Sequence, residues 1–371
     1  MTQADIIIVG ASARAAAFSA LRAGFSPYWI DQFGDLDLAG RLPGACVAAG
    51  RYPGGIVELA AAALPEVPFI YTGAMENHPD VLRRLAASRP LLGNDAETCA
   101  AVRDPFSLRA CLAASGIATA DIRKGTDPVP PGRWLRKPLS GGGGLGIEPA
   151  GGGDAPLSTT YLQQFVEGES CAAVFVADGT EAALIGVTLQ LVGRAEFHAP
   201  PFAYCGSVGP LPLAGGERDQ WLAIGTALAR EFGLRGLFGV DAIRSHDIVP
   251  IEVNPRYTAS VEVHELAGGP ATLALHAAAC RGALPRFRIP AAGRLAAKAH
   301  LFASAELRIR DGLDPRTAVP NASVEFADIP VPGSLVRAGA PIMTILIRGD
   351  DEGGCARLLA STARGLYRAL A

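Results

Sequence analysis

Lysine is almost missing from this sequence. Only three of the 371 residues are lysine, at positions 124, 137 and 298, against thirty arginines. The net charge is −3 and the pI near 6.1, which excludes a basic nucleic-acid-binding surface as the main feature. Charged residues are scarce at 19%, yet hydrophobic residues reach 49%, so the chain is globular rather than disordered. No apolar run is long and uncharged enough to span a bilayer. The opening "MTQADIIIVG" lacks a basic segment and carries Asp5 inside its apolar run, unlike a secretory signal. The seven cysteines form no CxxC pair and no Cys/His cluster. Scattered, odd-numbered thiols fit a reducing, cytoplasmic setting and exclude a disulfide framework or a zinc site.

What is present is an ordered series of patterns. The length implies two or three domains. Strand and helix alternate over residues 5–92. "DIIIV", "PYWID", "ACVAA", "PFIYTG" and "PLLG" read as strands, with helices at 14–23, 56–64 and 79–88 between them. Short links between alternating elements predict an open parallel sheet. Residues 94–124 read as helical. The strand "RWLRKPL" and two glycine runs follow, then strands flanking "FVEGE", a helix at 219–232, and the hairpin "GLFGVDAIR…DIVPIEVNP". The tail mixes strands near "KAHLFAS" and "PIMTILI" with a closing helix from Gly353.

Four stretches carry chemistry. "VGASARAAA" suggests a dinucleotide-binding turn, with Asp31 about twenty residues on, where a ribose-binding acid would stand. The fingerprint is damaged. Gly10 is present, but Ser12 and Ala15 replace the second and third glycines, so a parallel sheet without bound dinucleotide is the better reading. An NAD(P)-binding oxidoreductase is the alternative. In "RKPLSGGGGLG", Lys137 precedes Ser140 and Gly141, Gly142, Gly143 and Gly144. Glycine backbone N–H groups can fold around phosphate oxygens and the lysine adds a point charge. The plainer reading is a flexible linker. "QQFVEGES" alone is a common hairpin pattern.

The fourth stretch is the hairpin. Glu252, Asn254 and Arg256 alternate with apolar residues and so share one strand face. A two-residue turn at His246-Asp247 would put Asp241 directly across from Glu252; a longer one would make them diagonal neighbours. Facing carboxylates repel unless a cation lies between them. With the Asn254 oxygen they describe a Mg²⁺ site working with a nucleotide, and Arg256 could hold phosphate or carboxylate. The plainer reading is a solvated strand face, which the apolar flanks "GLFGV" and "IVPIEV" oppose. His264, His276 and Cys205 have no partners at catalytic or metal spacing and read as structural.

In this order, the parallel sheet, "KPLSGGGGLG", "FVEG" and "VDAI…EVNPR" resemble the ATP-grasp superfamily over nearly the whole chain. "YCGSVGP" and the tail "IPVPGSLVRAGAPIMTIL" resemble its ATP-dependent carboligases, of the carboxylate–amine ligase type. The resemblance implies an α/β and α+β chain: a Rossmann-like N-terminal parallel sheet (1–96), a small lid subdomain with the glycine loop (97–168) and a large subdomain with the metal hairpin (169–371). It implies ATP and Mg²⁺, with Mn²⁺ as a substitute. Lys137 would contact the phosphates under the Ser140–Gly144 loop. Gln164, Phe165 and Val166 would present backbone groups to adenine, and Glu167 or Glu169 would serve the adenine or ribose side, although the more usual alignment falls on Ser170. Asp241, Glu252 and Asn254 would hold the metal, and Arg256 with Lys137 would be catalytic. A second phosphate lysine is expected near "RDPFSL", where Pro105 stands; Arg103 is the nearest cation. A protein that binds ATP without turning it over is therefore a further alternative, and a carboxylase or phosphotransferase remains open within the superfamily. The implied partners are small-molecule carboxylates and amines, without nucleic acid or membrane, in a homodimer on base rates. Arg194, His198 and Tyr204 are candidates for facing the substrate.

Overall fold

A computed structural model describes residues 4–63, 66–153, 155–287 and 294–370. Leu64, the last residue of the helix expected at 56–64, and Ala371 lie outside these. The N-terminal unit is a four-stranded parallel sheet in the order Gly44–Cys46, Pro27–Asp31, Ile6–Val9, Phe69–Tyr71. Ile6–Val9 is buried on both faces, which is why it reads as an unbroken apolar run rather than an alternating one. Ile7 and Val9 pack with Ile56, Val81 and Leu85. Ile6 and Ile8 pack with Ala16, Ala17 and Ala20, in a cluster that continues into Val174, Val176 and Leu237. The short strand expected at 90–93 is reduced to one bridge, Phe69 to Leu91.

The lid is a separate antiparallel sheet, Ile122–Lys124, Thr160–Gln164, Trp134–Pro138, Glu148–Ala150. The helical reading of 94–124 holds only to residue 114. Two helices, Ala96–Arg103 and Pro105–Ala114, are each opened by an aspartate that accepts a backbone N–H: Asp95 from Thr98 at 2.8 Å and Asp104 from Ser107 at 2.9 Å. Gly116, at φ 70°, follows the second helix, and residues 122–124 are strand. Both helices pack not on the lid sheet but on the large core, with Val102, Leu108 and Leu112 against a cluster holding Phe175, Trp221 and Phe238.

The large sheet has eight antiparallel strands: Ile248–Asn254, Arg235–Arg244, Glu169–Asp178, Ala182–Val192, Tyr204–Gly209, Leu295–Phe302, Pro341–Gly349 and Val324–Ala327. The tail thus supplies three strands of this sheet, and the closing helix Glu352–Leu370 buries Leu359, Ala363 and Leu366 on it. Among the described residues no helix is long and apolar enough to cross a membrane.

Candidate active site

The hairpin is placed by its register. Arg244 pairs with Ile248, so the turn is three residues, Ser245–Asp247, rather than two. A bulge between Asp241 and Ala242 leaves Ile251 without a partner and restores the count, so that Asp241 lies directly opposite Glu252. Burial and, next, the Glu252 charge push the Asp241 carboxyl up to about 7. Asp241 accepts from Gln190 Nε2 at 2.9 Å and from Asn254 Nδ2 at 3.1 Å. The Asn254 oxygen accepts from Arg256 at 3.0 Å, so a third metal-ligating oxygen here requires that amide to reorient. Among the described residues no three His, Cys, Asp or Glu side chains cluster as a metal site. The two facing carboxylates nevertheless fit one divalent cation, whose charge would relieve the repulsion that raises Asp241.

Arg256 is held from the N-terminal unit. Its Nε donates to Glu76 Oε1 at 2.7 Å, and the Glu76 side chain is 1% exposed. Burial alone would raise the Glu76 carboxyl; Arg256 and then Arg103 hold it below the usual carboxylate range. Glu76 Oε2 is buried and has no hydrogen-bond partner among the described residues.

Asp241, Glu252, Asn254 and Arg256 face a cavity of about 260 Å³ between the lid and the large sheet. A side pocket of about 50 Å³ shares Lys137, Gly144, Ile147, Ile251 and Glu252 with it. Lys137 is 6% exposed, donates to Gln163 Oε1 at 3.0 Å and lies 5.6 Å from the Tyr161 ring centroid. The glycine loop is docked across the opening. Tyr204 N–H donates to the Gly143 carbonyl at 2.9 Å, and Gly144, at φ 76°, presses so closely on the Phe202 carbonyl that a Cβ would come within 1.9 Å of it. Arg103 donates to the Gly141 carbonyl at 2.7 Å and to Asn77 Oδ1 at 2.8 Å. It lines the side pocket, but part of its donor fork is spent on protein.

The linker strand places Gln164, Phe165 and Val166 on the cavity, with Leu135, Val192 and Ile243 as apolar walls. Glu167 and Glu169 do not line it. Glu167 turns outward to pair with Arg133 at 2.7 Å, and Glu169 lies 3.5 Å from Arg244. Ser170 lines the cavity instead and donates to Gln190 at 2.8 Å. Ser140 lines neither space and reaches Asn77 at 3.4 Å. Gly141 and Gly142 line the side pocket only. Tyr204 lines the cavity, whereas Arg194 pairs with Glu196 and His198 stacks on Tyr367, both outside it. Glu76, Gln163 and Gln190 were not singled out from the sequence; no local motif marks them.

The dinucleotide reading fails on geometry. Asp31 is fully buried and accepts from the backbone N–H groups of Ala13, Phe33 and Gly34 at 2.9–3.2 Å, so it closes the turn rather than facing a ribose. A Cβ on Gly10 would stand 1.9 Å from Thr72 Oγ1, which makes this glycine a packing requirement.

Residues 117–260 match the ATP-grasp domain family. No curated protein matches the sequence. Among solved structures, biotin carboxylase from Campylobacter jejuni, in complex with β,γ-ATP, aligns with a TM-score of 0.70 at 13% identity, covering 96% of this chain and 90% of its own. N5-carboxyaminoimidazole ribonucleotide synthetase from Thermotoga maritima aligns with a TM-score of 0.67 at 15% identity, over 98% of both chains. L-amino acid ligase from Bacillus licheniformis aligns with a TM-score of 0.69 at 13% identity, again over 98% of both. The match to the ATP-grasp domain family at residues 117–260 is thus set in a fold that the chain shares along nearly its whole length with these enzymes.

Proposed function

We propose that this protein is an ATP-dependent ligase that joins a carboxylate to an amine. The observation that carries the reading is the Asp241–Glu252 pair with Arg256 beside it, facing one cavity with Lys137 and the glycine loop. In this reading adenine lies against the backbone of Gln164–Val166 between apolar walls, and Ser170 serves the ribose side. Asp241 and Glu252, joined by Asn254 once its amide reorients, would hold Mg²⁺, which would screen the triphosphate charge. Lys137 is buried and positioned by Gln163, so its charge points at the phosphates without searching for them.

The reaction proceeds in two displacements. A carboxylate oxygen attacks the terminal phosphorus in line, the bond to the ADP oxygen breaks, and an acyl phosphate forms. Arg256, fixed by Glu76, steadies the carboxylate and then the acyl phosphate. The neutral amine nitrogen attacks the acyl carbon, the C–O bond to phosphate breaks, and the proton shed by the nitrogen leaves on the departing phosphate. The docked glycine loop excludes the water that would hydrolyse the intermediate. No side-chain nucleophile is required.

The test is calorimetric titration of a non-hydrolysable ATP analogue with Mg²⁺, and of NADH, into the wild type, Lys137→Ala and Glu252→Ala. Mg²⁺-dependent analogue binding that weakens about tenfold or more in both variants, with NADH inert, is expected. Binding untouched by either change, or binding of NADH alone, overturns the reading. ADP release that appears only when carboxylate and amine are both supplied separates a ligase from a protein that binds ATP without turning it over.

A further inference from the structure

A second cavity, of about 740 Å³, lies at the carboxyl ends of the N-terminal parallel strands, facing the tail strands of the large sheet. Its lining divides by exposure. Asp35 is 5% exposed, lines the cavity and caps no helix N–H with its side chain; among the described residues no hydrogen bond or ion pair holds its carboxylate. At the mouth stand Phe33, Val331 and Leu335, which are 48%, 37% and 52% exposed. Around Asp35 the acids Asp31, Asp37, Asp328 and Glu262 gather. The bases among them are two, Arg14 and Lys298. Arg14 is spent on Glu262 and Asp328, and Lys298 on Glu262 at 2.8 Å. Asp31 is satisfied by backbone N–H groups and Asp37 by those of Asp328 and Ile329. Among the described residues of this group, Asp35 is the one left facing the open cavity. His300, also on the lining, is kept neutral by burial, and Arg337 is exposed at the rim.

A buried carboxylate without a partner is unfavourable unless it is neutralised or meets a cation. Burial and then Asp328, Asp31 and Asp37 raise the Asp35 acid to about 8, the direction that an arriving cation would reverse. A bare metal ion leaves the large apolar mouth unexplained; an organic cation uses both ends. The cavity is also next to the nucleotide site. The Tyr204 ring, which lines that site, meets His300 edge-on at 5.8 Å. Tyr52, on the lining here, is close enough to sense the charges of Glu76 and Arg256.

We propose that this cavity seats the acceptor amine: it enters as an organic ammonium held at its cationic end by Asp35, with its apolar body along Phe33, Val331 and Leu335, and it gives one proton to the Asp35 carboxylate so that the neutral nitrogen carries the lone pair that ligation needs. The inference rests on the ligase reading for calling the ligand an acceptor, but the cation site itself does not.

The test is calorimetric titration of the full-length chain with 2-phenylethylamine, its neutral counterpart 2-phenylethanol and the anion 3-phenylpropionate. The amine is expected to bind about tenfold or more tighter than the alcohol, and Asp35→Asn to bring that ratio close to one. Should Asp35→Asn fail to fold, Leu335→Trp at the exposed mouth is expected to abolish amine binding while Mg²⁺-dependent binding of the ATP analogue persists. Equal binding of amine and alcohol, preference for the anion, a preference that survives Asp35→Asn, or amine binding untouched by Leu335→Trp overturns the proposal. The ATP-analogue titration separates the two readings. Nucleotide binding without amine preference removes this site alone. Amine preference without nucleotide binding removes the ligase reading and keeps the cation site.

Discussion

Asp241→Asn is expected to make the metal-free protein more stable at pH 8 while destroying its response to Mg²⁺. In the fold, burial and then Glu252 raise the Asp241 carboxyl from 3.8 to about 7. At pH 8 the folded chain must ionise a group that resists it, and a shift of about three units corresponds to a penalty of ~4 kcal/mol. The sign follows from proton binding. Below 3.8 both folded and unfolded states hold the proton and no penalty exists. Between 3.8 and about 7 the folded state binds more protons, so stability falls as pH rises; above that the penalty is constant. Asparagine does not titrate and escapes it. Against this, Gln190 and Asn254 both donate to Asp241 at 2.9 and 3.1 Å. An amide has one acceptor oxygen, so one donor is left unpaired, at a cost of roughly 1–3 kcal/mol. The net gain is about 1–3 kcal/mol at pH 8, or a few degrees in Tm, and it disappears near pH 4. Thermal unfolding at both pH values, with and without Mg²⁺ and the ATP analogue, is the assay. In the wild type at pH 8 the pair of ligands should raise Tm; in the variant Mg²⁺ should add nothing. A variant less stable than wild type at pH 8 without metal, or an advantage that is the same at pH 4, refutes the reasoning.

Three further substitutions separate lid, clamp and scaffold. Gly144→Ala places a methyl group 1.9 Å from the Phe202 carbonyl at a φ of 76°. The loop should no longer dock, ADP release with substrates should fall at least about tenfold, and Tm should hardly move because the loop is peripheral. Glu76→Gln leaves the buried Arg256 charge without its partner, a loss of about 3 kcal/mol; chemical denaturation should show it, and an unchanged midpoint would dismiss the clamp. Gly10→Ala drives a methyl into Thr72 and should destabilise the N-terminal sheet by ~1–3 kcal/mol without creating or removing any affinity for NADH.

The parts of the site that could be read from the sequence are those encoded locally. Strand alternation puts Glu252, Asn254 and Arg256 on one face whatever the fold does elsewhere. A lysine before four glycines is equally local. The linker acids depended on more. Gly168, at φ 152°, resets the chain before the strand begins, and pairing of Ile243 with Ser170 decides which side chain looks inward. A count from the glycine loop cannot supply that register, so the sequence leaves Glu167, Glu169 and Ser170 open as alternatives. The turn length shows the same dependence: a three-residue loop and a bulge give the pairing that a two-residue loop would have given. Glu76 and Gln190 had no signal at all. Glu76 meets Arg256 across 180 residues of chain, and Gln190 meets Asp241 across 51.

That long-range pairing bears on what the matched segment can do alone. Residues 117–260 hold every residue lining the cavity between the lid and the large sheet. They omit Glu76, which fixes Arg256, and Arg103 and Asn77, which brace the glycine loop. They also omit three strands of the eight-stranded sheet, so Tyr204–Gly209 would become a bare edge where it now pairs with Leu295–Phe302. The cluster holding Cys205 and Val208 would lose Leu301, Ile345, Leu359 and Leu366. A fragment cut at those limits should therefore aggregate through the freed strand rather than bind the ATP analogue. A soluble, monomeric fragment that bound it as tightly as the whole chain would show that the clamp from the N-terminal sheet is dispensable. The site is better regarded as a joint product: residues 117–260 supply Asp241, Glu252 and Lys137, and Glu76 from the unit of the parallel sheet fixes Arg256 beside them.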